Sequence, residues 1–409
     1  MSRLTVAVAG AGLGGLCLAQ GLQRAGVDVR VYERDAAADG RRQGYRLHVD
    51  ARAGTSLRDC LPSELFGLVL ATASTPSRGF TVMNSRLRIL HETSVGSTGD
   101  PYAAETLSTS VNRATLREIL TTGLADRITY GSEVSGFEQD DTGVTVLFAD
   151  GSSERSDVLV GADGVNSAIR SRLLPAARVH DTGNRIIYGK TLLDDRTVAL
   201  VPPALLNGFT AIVGGHVGLA TGMMRFRHRP DRAVEALGSV ARLTAADDYL
   251  MWAVSAPAAQ FTVPDPATAS MDAAQLHGVA CDMVRSWHPH VRALLDAASI
   301  PDTFLIRVRS SERVAAWTPS RVTLLGDAIH AMSPARGSGA NTAFMDAAIL
   351  CRSLADSGDN PVAAIGAYEE RMRDYGFAAV EASRKAETAA SGNGRRLLRW
   401  LVGHLIDRR

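Results

Sequence analysis

The sequence predicts an α/β fold made of two domains, one of which is inserted in the other. Three observations support this prediction. An apolar run, a glycine-rich turn, a helix with apolar periodicity and a second apolar run follow one another over residues 4–33. Residues 157–170 and 322–350 each repeat the order of strand, turn and helix. Between these two stretches, residues 179–283 carry β-rich runs separated by turn residues.

The glycine-rich turn has the spacing Gly10-x-Gly12-x-x-Gly15. In a nucleotide-binding βαβ unit the first glycine permits a tight turn, the second lets the backbone approach a pyrophosphate, and the third lets the helix pack closely on the strand. The helix that begins at Leu13 and Gly14 would then direct its unpaired N–H groups towards the phosphates. An ordinary glycine-rich turn is the alternative, but the complete order of strand, helix and strand favours a nucleotide site.

Glu33 ends the second apolar run, about 20 residues after the glycines. A carboxylate at this point accepts hydrogen bonds from a ribose 2′-hydroxyl and repels a 2′-phosphate, so we expect FAD or NAD rather than NADP. This unit alone leaves the choice between FAD and NAD open. The uncharged stretch from Leu4 to Leu22 is long enough for a membrane span. Its five glycines and the charged strand that follows argue against a span or a secretory signal.

Composition limits the size and the partners of the protein. The chain has 409 residues, of which 45% are hydrophobic and 21% charged, and its net charge is +1. We therefore expect two domains and no nucleic-acid partner. The four cysteines are far apart in sequence, which favours buried thiols in a reducing, cytoplasmic compartment. His288 and His290 are the one close histidine pair, and without further ligands near them we expect no metal site.

The order of the patterns predicts where the domains divide. We expect a Rossmann-like, nucleotide-binding domain of residues 1–75, 105–178 and 284–375. A mixed or antiparallel β-sheet of residues 76–104 and 179–283 is expected to bind the substrate. Residues 376–409 are expected to form a C-terminal helical segment with an amphipathic end. Packing of this end against its own protein or a second copy is favoured over contact with a membrane, so we expect a monomer or a homodimer.

Several charged residues of the first domain are candidates for contact with the nucleotide. Four arginines follow Glu33, in a loop and the next strand: Arg34, Arg41, Arg42 and Arg46. That they are solvated surface arginines is an equally good interpretation. Arg113 begins a helix after an extended stretch, where a surface charge is the alternative. Asp163 and Gly164 form a turn between a strand and a helix, and a plain Asp-Gly turn is the alternative.

A second glycine-rich loop lies far along the chain. An apolar strand delivers Asp327 to a loop that precedes a long apolar helix. The carboxylate of Asp327 is suited to accept a hydrogen bond from a cofactor hydroxyl. The helix directs its positive end at whatever lies above its first residues, which are Gly337, Gly339, Ala340 and Asn341. This arrangement suits an elongated ligand that carries a polyol and an anion-forming ring.

Two residues of the β-rich region, Arg225 and Trp252, are candidates for contact with the substrate. A structural role in a strand is the favoured interpretation of each, because strand faces alternate and the sequence does not identify the face that looks at the cofactor.

In combination, these motifs resemble the FAD-dependent aromatic hydroxylase family, the single-component flavoprotein monooxygenases that include para-hydroxybenzoate hydroxylase and the tetracycline-inactivating monooxygenases. The glycine turn with Glu33, the Asp163-Gly164 turn, and Gly326-Asp-Ala-Ile-His330 followed by Pro334 occur in the family's order. The resemblance implies the family's FAD-binding fold, a Rossmann-like domain of the para-hydroxybenzoate hydroxylase type, and FAD as the ligand.

The resemblance also implies roles for individual residues. Glu33 would hold the adenosine ribose and Asp327 the ribitol, Arg113 would contact FAD, and the turn at Asp163 would contact both FAD and NAD(P)H. Arg41 falls near a loop arginine that related enzymes use with the nicotinamide cofactor. The family's glycine, glutamine and glycine are Gly337, Ser338 and Gly339 here, a departure that leaves the packing and mobility of the flavin open.

The activity implied by the resemblance is that of a monooxygenase. NADH or NADPH, as a transient co-substrate, would reduce FAD, and a flavin C4a-hydroperoxide formed with O₂ would hydroxylate or epoxidise a bulky aromatic or polycyclic small molecule. The flavin itself would be the catalyst, with the Pro334 loop near its ring and no universal acid–base residue. The alternatives are a flavin oxidase or dehydrogenase on the same scaffold and a non-catalytic flavoprotein that sequesters a small molecule.

Overall fold

The computed structural model describes residues 4–37, 44–76, 79–94, 99–206 and 208–391. Arg41, Arg42 and the amphipathic end of the C-terminal segment lie outside these ranges. The strands are β1 (Thr5–Ala9), β2 (Asp28–Glu33), β3 (Arg46–Asp50), β4 (Gly79–Asn84), β5 (Ile89–Ser94), β6 (Ser108–Asn112), β7 (Ile128–Tyr130), β8 (Val134–Asp140), β9 (Gly143–Phe148), β10 (Ser153–Ser156), β11 (Val158–Gly161), β12 (Val179–Leu192), β13 (Gly208–Gly214), β14 (Val217–Met224), β15 (Tyr249–Pro257), β16 (Phe304–Ser311) and β17 (Val322–Leu324). The α-helices are α1 (Leu13–Arg24), α2 (Ala51–Cys60), α3 (Ser63–Ala71), α4 (Arg113–Thr121), α5 (Ala168–Leu173), α6 (Asp195–Leu200), α7 (Pro230–Leu237), α8 (Ala273–Met283), α9 (Pro289–Asp296), α10 (Asp327–His330), α11 (Gly339–Ala355) and α12 (Pro361–Ser391).

A five-stranded parallel sheet forms the centre of the first layer, with the strand order β17-β11-β1-β2-β7. Strands β1, β11 and β17 of this sheet are buried on both faces, which is why they are continuous apolar runs in the sequence. Helices α1, α11 and α12 share one apolar core with this sheet. Strands from the two ends of the described chain, β1 and β17, flank β11, so the two predicted glycine turns leave the same edge of one sheet.

A seven-stranded mixed sheet forms the second layer, with the order β16-β12-β15-β14-β13-β4-β5. Neighbouring strands are antiparallel except β13 and β4, which are parallel. Side chains alternate between its two faces. Leu250, Trp252 and Val254 of β15 share a core with helices α8 and α9. Tyr249, Met251 and Ala253 belong to a separate cluster on the opposite face, which also contains Tyr45.

This sheet extends beyond the region that the sequence predicted for it. Residues 284–375 were expected in the first domain, but α9 packs in the core of the mixed sheet and β16 pairs with β12. The chain therefore rejoins the parallel sheet only at β17. The stretch before it is a β-rich run that carries no turn motif to show which sheet it joins.

A short antiparallel pair, β3 and β6, lies between the two layers. Its first residue, Arg46, donates a hydrogen bond from Nε to the carbonyl oxygen of Met223 on the mixed sheet, at 3.1 Å. A further three-stranded antiparallel sheet has the order β10-β9-β8. The pair β3–β6 therefore lines the space between the parallel sheet and the mixed sheet.

Three of the four cysteines meet at one place, although they are distant in sequence. Cys17, Cys60 and Cys351 are buried and unpaired, and Gly21 makes room for them, because a Cβ there would lie 2.8 Å from the sulfur of Cys351. Hydrogen bonding to the thiol of Cys17, and secondly burial, raise the pKa of Cys60, against the opposing effect of the hydrogen bond with Cys351. No described group of three or more histidine, cysteine or acidic side chains is arranged to hold a metal ion. Among the described helices, none combines the length and the apolar character that crossing a bilayer requires.

Candidate active site

The three motif glycines of the β1–α1 turn differ in what surrounds them. Gly10 has φ +106°, and a Cβ atom there would lie 2.5 Å from the carbonyl oxygen of Ala162. A Cβ on Gly15 would lie 2.3 Å from the carbonyl oxygen of Gly10. Gly12 has φ −74°, and a Cβ there would meet nothing within 4 Å. The fold itself therefore requires Gly10 and Gly15, whereas Gly12 borders open space.

Two helices begin at this space without a capping side chain. The N-cap residues Gly12 of α1 and Ser338 of α11 make no side-chain cap hydrogen bond. Their first-turn N–H groups are thus available to an anion. The two helix starts are neighbours, because a Cβ on Gly14 would lie 2.8 Å from a methyl group of Leu325 and 3.2 Å from Cβ of Ala343.

Glu33, at the end of β2, is 6% exposed and contacts the glycine turn. One carboxylate oxygen accepts a hydrogen bond from the N–H of Ala11 at 2.8 Å, and the other accepts one from the N–H of Asp35 at 3.0 Å. Each oxygen can accept a further bond, so the carboxylate can hold the turn and a hydroxyl together. The neighbouring Arg34 is exposed.

Asp163 follows β11 on the other side of β1. One carboxylate oxygen accepts a hydrogen bond from the N–H of Ala168 at 2.8 Å. The other oxygen is buried and has no donor among the described residues, and burial raises the pKa of this carboxyl. Gly164 has φ +79°, which glycine adopts without strain. The guanidinium of Arg170 donates to the carbonyl oxygen of Ala328 at 2.8 Å and so ties this turn to α10.

Asp327 begins α10 and lies close enough to Arg113 and Tyr45 for electrostatic interaction with both, in the space between the two layers that we call the cleft. Its residue is exposed to solvent, but the protein packed close to it desolvates the carboxyl and raises its pKa, against the opposing effect of His330 and Arg113. It accepts no hydrogen bond from the described residues. One of its oxygens would lie 4.0 Å from a Cβ on Gly339, at the start of α11. An accessible carboxylate without a donor, beside a helix N-terminus, is suited to bind a hydroxyl.

Beneath Asp327 lies a buried network that the sequence did not reveal. His330 and Asp346 are both fully buried, and their Nε2 and Oδ2 atoms are 2.6 Å apart. Asp346 also accepts hydrogen bonds from the N–H of Gly326 at 2.8 Å and from the hydroxyl of Tyr375 at 2.6 Å. Burial alone would lower the pKa of His330, but Asp346 raises it above its usual value. The network fixes the loop that carries Asp327.

The loop before α11 is held by its own side chains. Asn341 donates to the carbonyl oxygens of His48 at 3.0 Å and Gly337 at 2.9 Å, and accepts from the N–H of Asp50 at 3.0 Å. Its side chain is therefore occupied within the protein, and its backbone is what remains for a ligand. Gly337 has φ +61°, and Pro334 is exposed in the same loop.

Helix α4 presents two arginines to the cleft, because residues four apart share a helix face. The guanidinium carbon of Arg113 lies 5.8 Å from the ring centroid of Tyr45. Arg117 donates from Nε to the carbonyl oxygen of Ala11 in the glycine turn at 3.2 Å. Arg113 was predicted from the sequence and Arg117 was not, although the four-residue spacing places both on one face of α4.

Aromatic side chains form the wall of the cleft opposite Asp327. Tyr45 lies 5.4 Å from Tyr188 and 5.7 Å from Phe304, measured between ring centroids. Tyr188 and Phe304 stack at 5.4 Å. Burial raises the pKa of both tyrosines above the usual value, so both remain neutral donors at physiological pH. These three residues were not predicted, since only the cross-strand register brings them together.

The structure separates the two residues predicted to contact the substrate. Trp252 is fully buried on the helix-covered face of the mixed sheet, where it packs over Gly189 and near His277. That face is opposite to the aromatic wall, so its position does not support contact with a substrate. Arg225 follows β14, has a side chain that is 48% exposed, and lies 3.6 Å from Asp248.

The residues present fit a flavin dinucleotide. The open space at Gly12, two uncapped helix N-termini and an accessible carboxylate without a donor are complementary to a diphosphate, an anion-forming ring and a polyol. The aromatic wall across the cleft provides a flat apolar surface beside that site.

Comparison with known proteins identifies the family. A model of the FAD binding domain matches residues 3–288 and 298–383. The chain is 35% identical over 391 residues to the dual O-methyltransferase/FAD-dependent monooxygenase CTB3 of Cercospora beticola, an alignment that covers 90% of this chain and 44% of that protein. It thus spans less than half the length of this relative. It is also 29% identical over 376 residues to 6-hydroxynicotinate 3-monooxygenase of Bordetella bronchiseptica, covering 90% and 88% of the two chains.

Solved structures give the same result. An FAD-containing monooxygenase of Photorhabdus luminescens superposes with a TM-score of 0.79 at 32% identity, covering 95% of this chain and 99% of that one. A variant of HpxO from Klebsiella pneumoniae, complexed with FAD, superposes with a TM-score of 0.76 at 25% identity, covering 98% and 94%. The predicted α/β fold and the resemblance to FAD-dependent monooxygenases are confirmed. This chain belongs to the FAD binding domain family, and FAD is its cofactor.

Proposed function

We propose that this protein is an FAD-dependent monooxygenase that uses NADH or NADPH and O₂ to hydroxylate or epoxidise a bulky aromatic or polycyclic small molecule. The observation that carries the proposal is the cleft, in which the start of α11 and Asp327 face the aromatic wall of Tyr45, Tyr188 and Phe304. A site for a flavin ring and a flat apolar surface for a second ring system thus lie across one space. The relatives named above are monooxygenases, which supports the same reaction class.

We propose that the glycine turn and its surroundings hold the adenosine diphosphate half of FAD. The N–H groups of Leu13 and Gly14 bind the diphosphate above Gly12, and Glu33 accepts a hydrogen bond from the ribose. Support comes from the open space at Gly12 and from the remaining acceptor capacity of Glu33. Gly10 and Gly15 shape this turn, and Arg34, which follows Glu33 at the end of β2, would lie beside the ribose.

We propose that the second glycine loop holds the other half. Asp327 would accept a hydrogen bond from the ribityl chain, and the N–H groups of Gly339 and Ala340 would bind the ring. Arg113 and the turn at Asp163 would border the cofactor. The uncapped N-terminus of α11 would favour negative charge on the ring, because the partial positive charge of a helix start favours an anion.

Bound FAD supplies the redox and oxygen chemistry, and the protein supplies position, dryness and charge. The aromatic wall orients the substrate ring and excludes water from the reacting face. We assign no general acid or base, because the cofactor carries the chemistry.

Labelling with ¹⁸O₂ tests the proposal. The purified holoprotein is incubated with NADH or NADPH and a panel of phenols, quinolones and polycyclic aromatics, and the products are analysed by mass spectrometry. The expected result is one ¹⁸O atom in a product, with pyridine nucleotide consumption stimulated by the same compound. Substrate oxidation without ¹⁸O incorporation would indicate an oxidase or dehydrogenase. Ligand binding without stimulated consumption would indicate a sequestering flavoprotein.

A further inference from the structure

Arg46 is a cation in the cleft that none of the roles above uses. It begins β3 and extends towards the mixed sheet, where its Nε donates to the carbonyl oxygen of Met223 at 3.1 Å. A Cβ atom on Gly222 would lie 3.1 Å from both Cδ and Nη1 of Arg46. The absence of a side chain at Gly222 therefore leaves room for the guanidinium on the cleft face of the sheet.

The charge of Arg46 has no carboxylate partner among the described residues. Arg46 is half-buried, and desolvation by the surrounding protein lowers the pKa of its guanidinium to about 10, so the group stays cationic at neutral pH. Other cations on this side of the molecule have acidic neighbours: Lys190 is 3.0 Å from Asp302, and the charge of Arg113 acts on Asp327. Withdrawing a cation from water without a counter-ion is costly, and a bound anion would offset that cost.

The surroundings of Arg46 define the shape of the ligand. Its guanidinium carbon lies 6.0 Å from the ring centroid of Phe209, and Phe209 stacks on Phe80 at 5.8 Å. The next row of the same sheet face consists of Ala211, Ala220 and Ala253, which are paired across neighbouring strands. These small side chains form a flat floor that extends from Phe209 to Tyr188 and the aromatic wall. A planar ring system fits this floor with one edge at Arg46.

His48, two residues along the same strand, does not compete for that anion. Burial, and secondly the charge of Arg46, lower the pKa of His48 below its usual value, so its imidazole is neutral at neutral pH. Tyr249, whose hydroxyl accepts a hydrogen bond from Asn112 at 3.0 Å, has its pKa raised by burial and is also neutral. Among the residues that the structure describes at this end of the floor, Arg46 is thus a positive charge without a carboxylate partner.

We propose that Arg46 is a specificity-determining residue that binds an ionised oxygen, a phenolate or a carboxylate, on the edge of an aromatic substrate. This inference rests on the proposed function, since it assigns the substrate class of that site. Arg46 would thereby favour acidic aromatic compounds over neutral compounds of the same shape.

Binding of matched probes to the FAD holoprotein tests the inference. The probes are 2-naphthoate and 2-naphthamide, which differ in charge, together with 2-naphthol over a range of pH, and binding is followed by the change in flavin absorbance and by calorimetry. Because a hydrogen bond to a charged group is worth about 1.5–3 kcal/mol, we expect 2-naphthoate to bind roughly ten-fold to a hundred-fold more tightly than the amide. We expect the affinity for 2-naphthol to rise as the phenol ionises, which separates the phenolate from the carboxylate source.

The variants Arg46→Met and Arg46→Lys test whether Arg46 causes the preference for the acid over the amide. Arg46→Met should bind acid and amide with equal affinity, and Arg46→Lys should retain part of the preference. Arg232→Met, which removes an exposed arginine of α7, is the matched control and should behave as the wild type. FAD content and melting temperature are measured for each variant, and if Arg46→Met does not fold, Arg46→Lys carries the test through its reduced preference.

The inference is overturned if the wild type shows no preference for the acid over the amide, or if either Arg46 variant keeps the full preference. Its failure is distinguishable from failure of the proposed function. A charge preference that depends on Arg46, without ¹⁸O transfer to any compound, leaves the anion site intact and rejects the monooxygenase. Oxygen transfer without such a preference does the reverse.

Discussion

Substitution of Gly12 by Asp separates the requirement of the cofactor from the requirement of the fold. Gly12 has φ −74°, and its missing Cβ would meet nothing, so the backbone accepts any side chain. It is the N-cap of α1, a position at which Asp is preferred over Gly by a few tenths of a kcal/mol. We therefore expect the protein without FAD to be as stable as the wild type or slightly more stable.

The same substitution should remove FAD binding. The Asp carboxylate would accept the first-turn N–H groups of α1 and place a negative charge where the diphosphate binds. Loss of two charge-assisted hydrogen bonds, each worth about 1.5–3 kcal/mol, corresponds to a loss of roughly 10²- to 10⁴-fold in affinity. Gly12→Ser caps the helix without adding a charge, so its affinity for FAD should lie between that of the wild type and that of Gly12→Asp.

The assay combines thermal melting of the FAD-free protein with titration of FAD followed by its fluorescence. Gly10→Ala is the contrasting variant, because a Cβ at φ +106° and 2.5 Å from a carbonyl oxygen disrupts the turn itself. It should lower the melting temperature as well as the affinity. The reasoning is refuted if Gly12→Asp binds FAD with wild-type affinity, or if it melts as early as Gly10→Ala.

Three further predictions concern individual carboxyl groups. Burial raises the pKa of Glu369 to about 7 from 4.5, so between these pH values the folded state binds more protons than the unfolded state. The free energy of unfolding therefore falls as pH rises through this range, by up to about 3 kcal/mol. Glu369→Gln should flatten the dependence of the melting temperature on pH, and an unchanged slope would contradict this prediction. Asp346→Asn should cost about 3–5 kcal/mol in urea unfolding because it leaves His330 buried without its counter-ion. Asp346 raises the pKa of His330, so the stabilisation from this pair is complete below the usual histidine pKa and is lost as pH rises through the raised value. The melting temperature of the wild type should therefore fall over this pH range relative to that of Asp346→Asn. The absence of such a fall would refute the pairing. Asp327→Ala should weaken FAD binding about ten-fold to a hundred-fold without lowering the stability of the FAD-free protein, and equal losses of both would assign Asp327 a structural role.

Local sequence patterns were sufficient for the parts of the site that lie at the ends of parallel strands. The turns at Gly12, Asp163 and Asp327 each follow an apolar strand, and parallel strands end at one edge of a sheet, so their proximity follows from the fold class. Arg117 was equally accessible to this reasoning, because it lies one helical turn after Arg113.

The remaining part of the cleft depends on contacts between residues distant in sequence. Tyr188 and Phe304 lie side by side only when β12 pairs with β16, and Tyr45 joins them only when the start of β3 packs on the mixed sheet. Trp252 illustrates the same limitation. A shift of one residue moves a strand side chain to the other face, and the face of Trp252 is set by packing of α8 and α9 on the sheet. The pair of His330 and Asp346 is likewise visible only once α11 is placed over the loop.

The central claim is that one flavin lies across both glycine turns, and a crystal structure of the FAD complex tests it most directly. The account predicts the diphosphate above Gly12 at the start of α1, the ribityl chain within hydrogen-bond distance of Asp327, and the ring at the start of α11 facing Tyr188. A flavin bound elsewhere on the molecule, or a diphosphate more than one helical turn from Gly12, would contradict the account.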